Sequence, residues 1–436
     1  VPRVALFVSI LLLASPARAS GVEDPVAATA LALAIILVSA KVFGHLAEVL
    51  GQPAVLGELI AGLALGAVGR TVFPALDSAA RSPELSLLAG LGVLLLLFEV
   101  GLESTVVQML EVGWLAFRVA IAGVIAPTLL GIAAATVFLP EASFYTRVFL
   151  GATLCATSVG ITARVLKDLG RSQSTEAKLI LGAAVLDDVL GLIVLAVVAG
   201  SISAAASGQA LALGAIGAIA LKALLFLGGA LWLGARIGPS LFKAASRLRS
   251  RGALLATGLG FCFALSWLSA EFGLAPIVGA FAAGLLLEEV HYQDFLARGE
   301  QGLEVLIRPI TGFLAPVFFV QMGMLTDLGQ MGDLRVATLG LALTLAGITG
   351  KAMAGYAISP GKDPVDRFAV GLGMIPRGEV GLIFANLGLG LRLFGRPVVD
   401  SRAYAAIVMM VILTTLVTPP LLKWRLGPGP SPGNQA

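Results

Sequence analysis

Apolar residues run along this chain in blocks of roughly twenty, the length at which a helix crosses a bilayer. Short connections separate them and hold most of the Lys and Arg. Thirteen such blocks are predicted, at 25–43, 53–69, 85–101, 114–138, 147–166, 178–199, 209–235, 252–270, 274–288, 312–326, 335–358, 368–391 and 402–422. The expected fold class is therefore an all-α polytopic membrane protein. Two flanking stretches stand apart. Arg3, the apolar run Val4 to Leu13 and Ala17-Arg18-Ala19 read as a signal peptide, residues 1–19, or alternatively as a short first membrane helix. Residues 427–436 are Pro/Gly-rich and predict a disordered tail.

Composition agrees with the pattern. Hydrophobic residues make up 58% of the 436 and charged residues 13%, about half the charged share of a soluble domain. The net charge of +3 says little about nucleic acid, because the basic residues are scattered over short loops, and no nucleic-acid partner is expected. Cys155 and Cys262 both fall in apolar spans and suggest no disulfide framework. Nothing resembles a phosphate-binding glycine loop, a Cys/His metal array, a nucleophile triad or a nucleotide-binding domain. The sequence thus argues against an enzyme and for a carrier with no cofactor, energised by ion gradients.

Lys and Arg choose the orientation. One set of connections holds fifteen of them and the opposite set seven. The richer set is expected in the cytoplasm, which places the C-terminus inside and the mature N-terminus outside, in a bacterial inner membrane.

A repeat is visible at an offset of 222 positions. Leu56-Gly57 with Ala61-Gly62-Leu63 recurs as Val278-Gly279 with Ala283-Gly284-Leu285, and Val100-Gly101-Leu102 recurs as Met322-Gly323-Met324. An odd number of spans separates the copies, so the halves have opposite orientation. This predicts six-helix inverted repeats at 25–199 and 252–422, joined by a linker helix and basic loop at 200–251. The same offset pairs Thr157 with Glu379. Ala156-Thr157-Ser158-Val159-Gly160 and Ile375-Pro376-Arg377-Gly378-Glu379 are both ill-suited to an unbroken helix. Two broken crossing helices are expected there, with Thr157 and Ser158 hydroxyls and unwound carbonyls as cation ligands. Arg377 or Glu379 would offset the exposed helix-end charges.

Within the block 178–199 sit two adjacent carboxylates, Asp187 and Asp188. A charge at that depth costs about 2.5–3.5 kcal/mol on insertion scales, so the pair needs a function or a partner. The bland alternative is a polar pair that only holds helices together. Lys351 is the natural counter-ion, unless it snorkels to the cytoplasmic surface. Glu58, Glu99 and Glu103 are candidates for an access funnel, and equally for ordinary helix-end charges.

Together these stretches give a resemblance. Gly51-Gln-Pro-Ala-Val-Leu-Gly-Glu58, Leu97-Phe-Glu-Val-Gly-Leu-Glu103, Ala156-Thr-Ser-Val-Gly-Ile-Thr-Ala-Arg164, Gly182-Ala-Ala-Val-Leu-Asp-Asp188, Lys351 and Pro376-Arg-Gly-Glu379 resemble the bacterial sodium/proton antiporters of the monovalent cation:proton antiporter-2 family, most nearly the NapA type. The resemblance covers roughly 25–422. It implies a thirteen-helix homodimer with a dimerisation domain and a mobile core domain, each built from both repeats, and elevator-type alternating access. It implies Asp188 as principal ligand for Na+ or Li+, with Asp187 and Thr157 contributing, and Asp187 paired with Lys351 in the ion-free state. Asp at 187 favours electrogenic exchange, two protons in per Na+ out. The alternatives are a K+/H+ antiporter of the same family, an ion channel, or a sodium-coupled carrier of organic solutes on a related core.

Overall fold

A computed structural model describes residues 25–427, apart from 104–112, 170, 172–173, 207–212, 249, 251, 273, 288–292 and 359–364. The leader at 1–19 and most of the tail from Gly427 lie outside the described residues.

Helix dominates because most of the chain cannot satisfy its backbone polar groups from lipid and must do so within each segment. In order come α1 (Pro25–Val49), α2 (Ala54–Thr71), α3 (Pro74–Ala80), α4 (Pro83–Glu103) and α5 (Gly113–Phe138). A first interrupted pair follows, α6 (Phe144–Ala152) and α7 (Val159–Asp168), then α8 (Thr175–Ala206) and α9 (Leu213–Ala245). Next are α10 (Ala253–Glu271), α11 (Pro276–Leu286), α12 (Gln293–Leu296), α13 (Leu303–Leu325), α14 (Leu328–Met331) and α15 (Leu334–Ala354). The second interrupted pair is α16 (Arg367–Gly373) and α17 (Glu379–Gly390), and α18 (Ser401–Leu426) closes the chain. Among the described residues nine helices are long and apolar enough to cross a membrane, and Pro276–Leu286 and Val380–Gly390 are shorter apolar helices. The protein is an all-helical, multi-pass membrane protein. Among the described residues the strands are a two-stranded hairpin, β1 (Arg392–Leu393) and β2 (Arg396–Pro397).

Several boundaries correct the sequence reading. The block expected from 312 begins at Leu303, because α13 runs through Pro309 and Pro316 instead of starting after the first. The linker expected at 209–235 extends to Ala245 through Pro239. Membrane helices tolerate Pro because neighbours re-satisfy the freed carbonyls.

The chain gathers into two compact units, Val1–Leu96 with Arg308–Gly329, and Leu97–Ile307 with Gln330–Ala436. In the first, a Cβ at Gly57 would run into the Phe43 carbonyl, and one at Gly62 into the Val320 carbonyl and Gly323. Arg70 donates to the Met324 and Thr326 carbonyls at 3.1 and 2.8 Å, closing the open end of α13. In the second, a Cβ at Gly279 would run into the Leu265 carbonyl, and one at Gly284 into the Phe98 carbonyl and Gly101. Each of these glycine contacts in one unit has its counterpart in the other at the 222-residue offset: 43 with 265, 57 with 279, 62 with 284, 98 with 320, 101 with 323.

Candidate functional site

The second unit assembles the buried charges. Asp187 and Asp188 sit mid-way along α8, where their neighbours on the helix are Ala, Val, Leu and Gly. Successive positions point about 100° apart, so the two carboxylates face different surroundings. Asp187 is fully buried and Asp188 nearly so.

Lys351 stands near the end of α15 and is also fully buried. Its Nζ donates to Asp187 Oδ1 and Oδ2, both at 2.8 Å. The snorkelling alternative for Lys351 therefore does not apply. Two glycines make the approach possible. Gly350 lies directly against Pro127 of α5 with no room for a Cβ. At Gly123, also on α5, a Cβ would sit 3.3 Å from Lys351 Nζ and 3.5 Å from Asp187 Oδ1. The α5 wall of the ion pair is thus backbone.

The two interruptions cross beside each other. The first covers Thr153 to Ser158 and the second Met374 to Gly378. Gly160, expected to loosen the first, is instead inside α7. The break lies upstream because the backbone there is bonded across the gap and not along the helix. Ser158 N–H donates to Pro376 O at 2.9 Å. The Thr157 hydroxyl donates to Met374 O at 3.0 Å, and the Thr162 hydroxyl to Gly373 O at 2.7 Å. Arg377, fully buried, donates from Nη1 to Ala156 O, and Thr415 donates to Arg377 O at 2.6 Å. Arg377 Nε and Nη2 have no hydrogen-bond partner among the described residues. A positively charged fork thus lies against the exposed Ala156 carbonyl within the first break.

Thr157 supplies its proton to Met374 O, which leaves its oxygen lone pairs for a cation. Ser158 sits tightly against Gly378, where a Cβ would come within 2.7 Å of the Ser158 Oγ. The oxygens at this crossing are hydroxyls and backbone carbonyls, hard donors and not the thiolates or imidazoles that soft metals favour.

Other expected residues fall elsewhere. Glu58 is buried on α2 in the first unit, and Glu99 is half-buried on α4 in the second. The side chains of Glu103 and Glu379 lie outside the described residues. Sequence reasoning missed Thr162, Thr415 and Gly123, whereas Gly350 lies in the stretch Gly347–Gly355, whose small residues predict close helix contact around Lys351. For Thr162 a signal existed, a hydroxyl four residues beyond Ser158 in an otherwise apolar turn. For Gly123 none did, since glycine is frequent throughout the chain.

Comparison with known proteins places this arrangement. Residues 32–426 match the family described as sodium/hydrogen exchanger, transmembrane. The high-affinity Na+/H+ antiporter NhaS3 of Synechocystis is 37% identical, over 90% of this chain and 88% of its own length. The Na+/H+-K+ antiporter GerN of Bacillus cereus is 34% identical, over 91% of this chain and 95% of its own. The solved structure of MjNhaP1 from Methanocaldococcus jannaschii, a sodium proton antiporter, superposes with a TM-score of 0.65. It covers 90% of this chain and 94% of its own at 16% identity, a likeness of fold. With its paired Asp187 and Lys351 beside two broken helices, the chain belongs to the transmembrane sodium/hydrogen exchanger family, whose members are secondary transporters and not enzymes.

Proposed function

We propose that the protein exchanges Na+ or Li+ for protons, that Asp188, Asp187 and Thr157 are the cation ligands, and that Lys351 is the ammonium the cation displaces. The observation that carries this reading is the bidentate contact of Lys351 with Asp187 in a fully buried setting. Two buried carboxylates, Asp187 and Asp188, stand against two buried cations, Lys351 and Arg377. Arg stays protonated. A Na+ added to this balanced set raises its charge by one, and at a depth where unpaired charge is costly the set must release a proton. Cation entry and proton release then become one event, and the cluster titrates as a unit. One proton released per Na+ is electroneutral; if Asp188 is protonated in the ion-free state it gives up a second, and exchange of two protons for one Na+ is then electrogenic and assisted by the membrane potential, about 2.3 kcal/mol per charge per 100 mV.

The surrounding architecture is read the same way. Counted together, the nine long apolar helices, α9, the shorter α11 and the two interrupted pairs would make thirteen spans. The matched glycine contacts at constant offset support six-helix inverted repeats at 25–199 and 252–422, and hence an elevator-type movement of a core domain against a dimerisation domain in a homodimer. The Lys and Arg asymmetry supports a cytoplasmic C-terminus and an outside mature N-terminus in a bacterial inner membrane. A second reading, exchange of K+, is favoured by the K+ in the name of GerN.

The test is transport in proteoliposomes with Na+, Li+ and K+ compared across pH, the potential clamped and unclamped. Asp188→Asn should abolish cation-dependent proton flux; near-normal exchange would remove Asp188 from the site. A Na+ gradient that drives protons uphill excludes the channel alternative.

A further inference from the structure

The connection between α17 and α18 is built unlike any other described segment. Its root is fixed: Val398 N–H donates to Leu391 O at 2.9 Å and Val399 N–H to Gly388 O at 3.1 Å. Leu393, Val398 and Val399 are buried. Its tip is a two-residue turn in which Phe394 and Gly395 both have positive φ, 50° and 81°. That geometry ordinarily selects Asn-Gly or Gly-Gly. Phe394 is the single non-glycine residue with positive φ among the described residues, in a region that bulky side chains disfavour. No packing compensates, since Phe394 is 76% exposed. A strained backbone that holds an aromatic ring outward points to a use for the ring.

The charges around it are one-sided. Arg392 and Arg396 flank the turn and are exposed, and Arg392 Nη1 reaches Gly395 O at 3.4 Å, which keeps the guanidinium at the tip. Arg402 is exposed in the first turn of α18. Asp400 is the sole acid between 391 and 402, and its Oδ1 accepts the Ala403 N–H at 2.8 Å as the cap of α18. Because α18 is long and apolar enough to span a membrane, its start at Ser401 marks a membrane surface.

We propose that this hairpin binds the phosphate of an anionic phospholipid, with Phe394 seated among the glycerol and upper acyl groups and Arg392 and Arg396 on the phosphate oxygens. Aromatic rings favour that depth, guanidinium groups match phosphate geometry, and an anionic surface attracts the unbalanced arginines. A soluble phosphate would leave Phe394 without an occupant, so the lipid is the source.

The test uses the full chain in detergent, with its thermal midpoint read after addition of phosphatidylglycerol, phosphatidylcholine or inorganic phosphate. Phosphatidylglycerol should raise the midpoint above that in phosphatidylcholine, and inorganic phosphate should not. The Arg392→Gln/Arg396→Gln variant should match the parent in phosphatidylcholine and lose at least half of the phosphatidylglycerol shift. Phe394→Gly should raise the midpoint without lipid, by relieving the backbone, yet also halve the shift. A double variant that keeps the full shift overturns the proposal. So does an equal shift from inorganic phosphate, or a Phe394→Gly protein that gains nothing without lipid and responds to it as the parent does.

Discussion

Lys351 Nζ lies 2.8 Å from each carboxylate oxygen of Asp187, although 164 residues separate the two in sequence and neither side chain reaches solvent. Removing one partner leaves an uncompensated buried charge, a change that costs about 3–5 kcal/mol, whereas removing both leaves none. Lys351→Gln alone is therefore expected to lower the thermal midpoint sharply. Combined with Asp187→Asn it should recover most of that loss. Denaturation of the parent and the two variants in one detergent checks this, and a double variant no more stable than Lys351→Gln would refute it. Both Lys351 variants should also lose any electrogenic component of exchange, read as insensitivity of flux to a clamped potential.

The stitches between the two interruptions carry a different expectation. Thr157 and Thr162 each donate a buried hydroxyl proton to a carbonyl of the second break, Met374 O and Gly373 O. Replacing either with Val keeps the volume and strands an acceptor, worth about 1–3 kcal/mol. Thr162→Val should show this in stability while cation affinity is largely kept. Thr157→Val should show it in both, since its oxygen is also a proposed ligand. Stability and the apparent Na+ affinity of exchange, measured on the same preparations, separate the two roles.

Gly62 and Gly284 occupy matched contacts in their respective units, the first against Val320 O and Gly323, the second against Phe98 O and Gly101. A methyl group has no space at either, and overpacking of this kind costs about 1–3 kcal/mol. Gly62→Ala and Gly284→Ala should destabilise by similar amounts. Gly90→Ala is the control, because nothing lies within 4 Å of a Cβ there. Thermal midpoints of the three proteins decide it.

Charge and hydropathy made much of this legible. A lone Lys and two Asp within apolar blocks had few possible partners, and burial selected the pair that the sequence suggested. The breaks were legible from Pro376 and from hydroxyls in an apolar helix. What the sequence hid was where hydrogen bonds go once a helix opens. Propensity put the first break at 156–160, yet it sits at Thr153–Ser158, held by bonds to residues more than two hundred positions away. Gly123 was equally invisible, since its importance comes from Lys351 and Asp187 on two other helices.

The last expectation concerns pH and lies outside the membrane-spanning segments. Asp366 caps α16, accepting the Ala369 N–H at 3.1 Å on Oδ1 and the Arg425 Nε at 2.6 Å on Oδ2. Partial burial pushes its carboxyl upward, but the Arg425 hydrogen bond, the backbone donors and the guanidinium charge outweigh that, and the net shift is downward. A carboxylate held below its unfolded value contributes stability above the ordinary carboxylate range, and that contribution is lost as pH falls through the depressed folded value. The pair is partly solvated, so about 0.5 kcal/mol is the expected scale. Asp366→Asn keeps a side-chain oxygen for the cap and deletes the charge. At pH 7 it should lower the thermal midpoint slightly, and in acid, where the parent is itself protonated, the difference should vanish. An undiminished difference below the carboxylate range would show that the carboxylate charge facing Arg425 is not what Asp366 contributes.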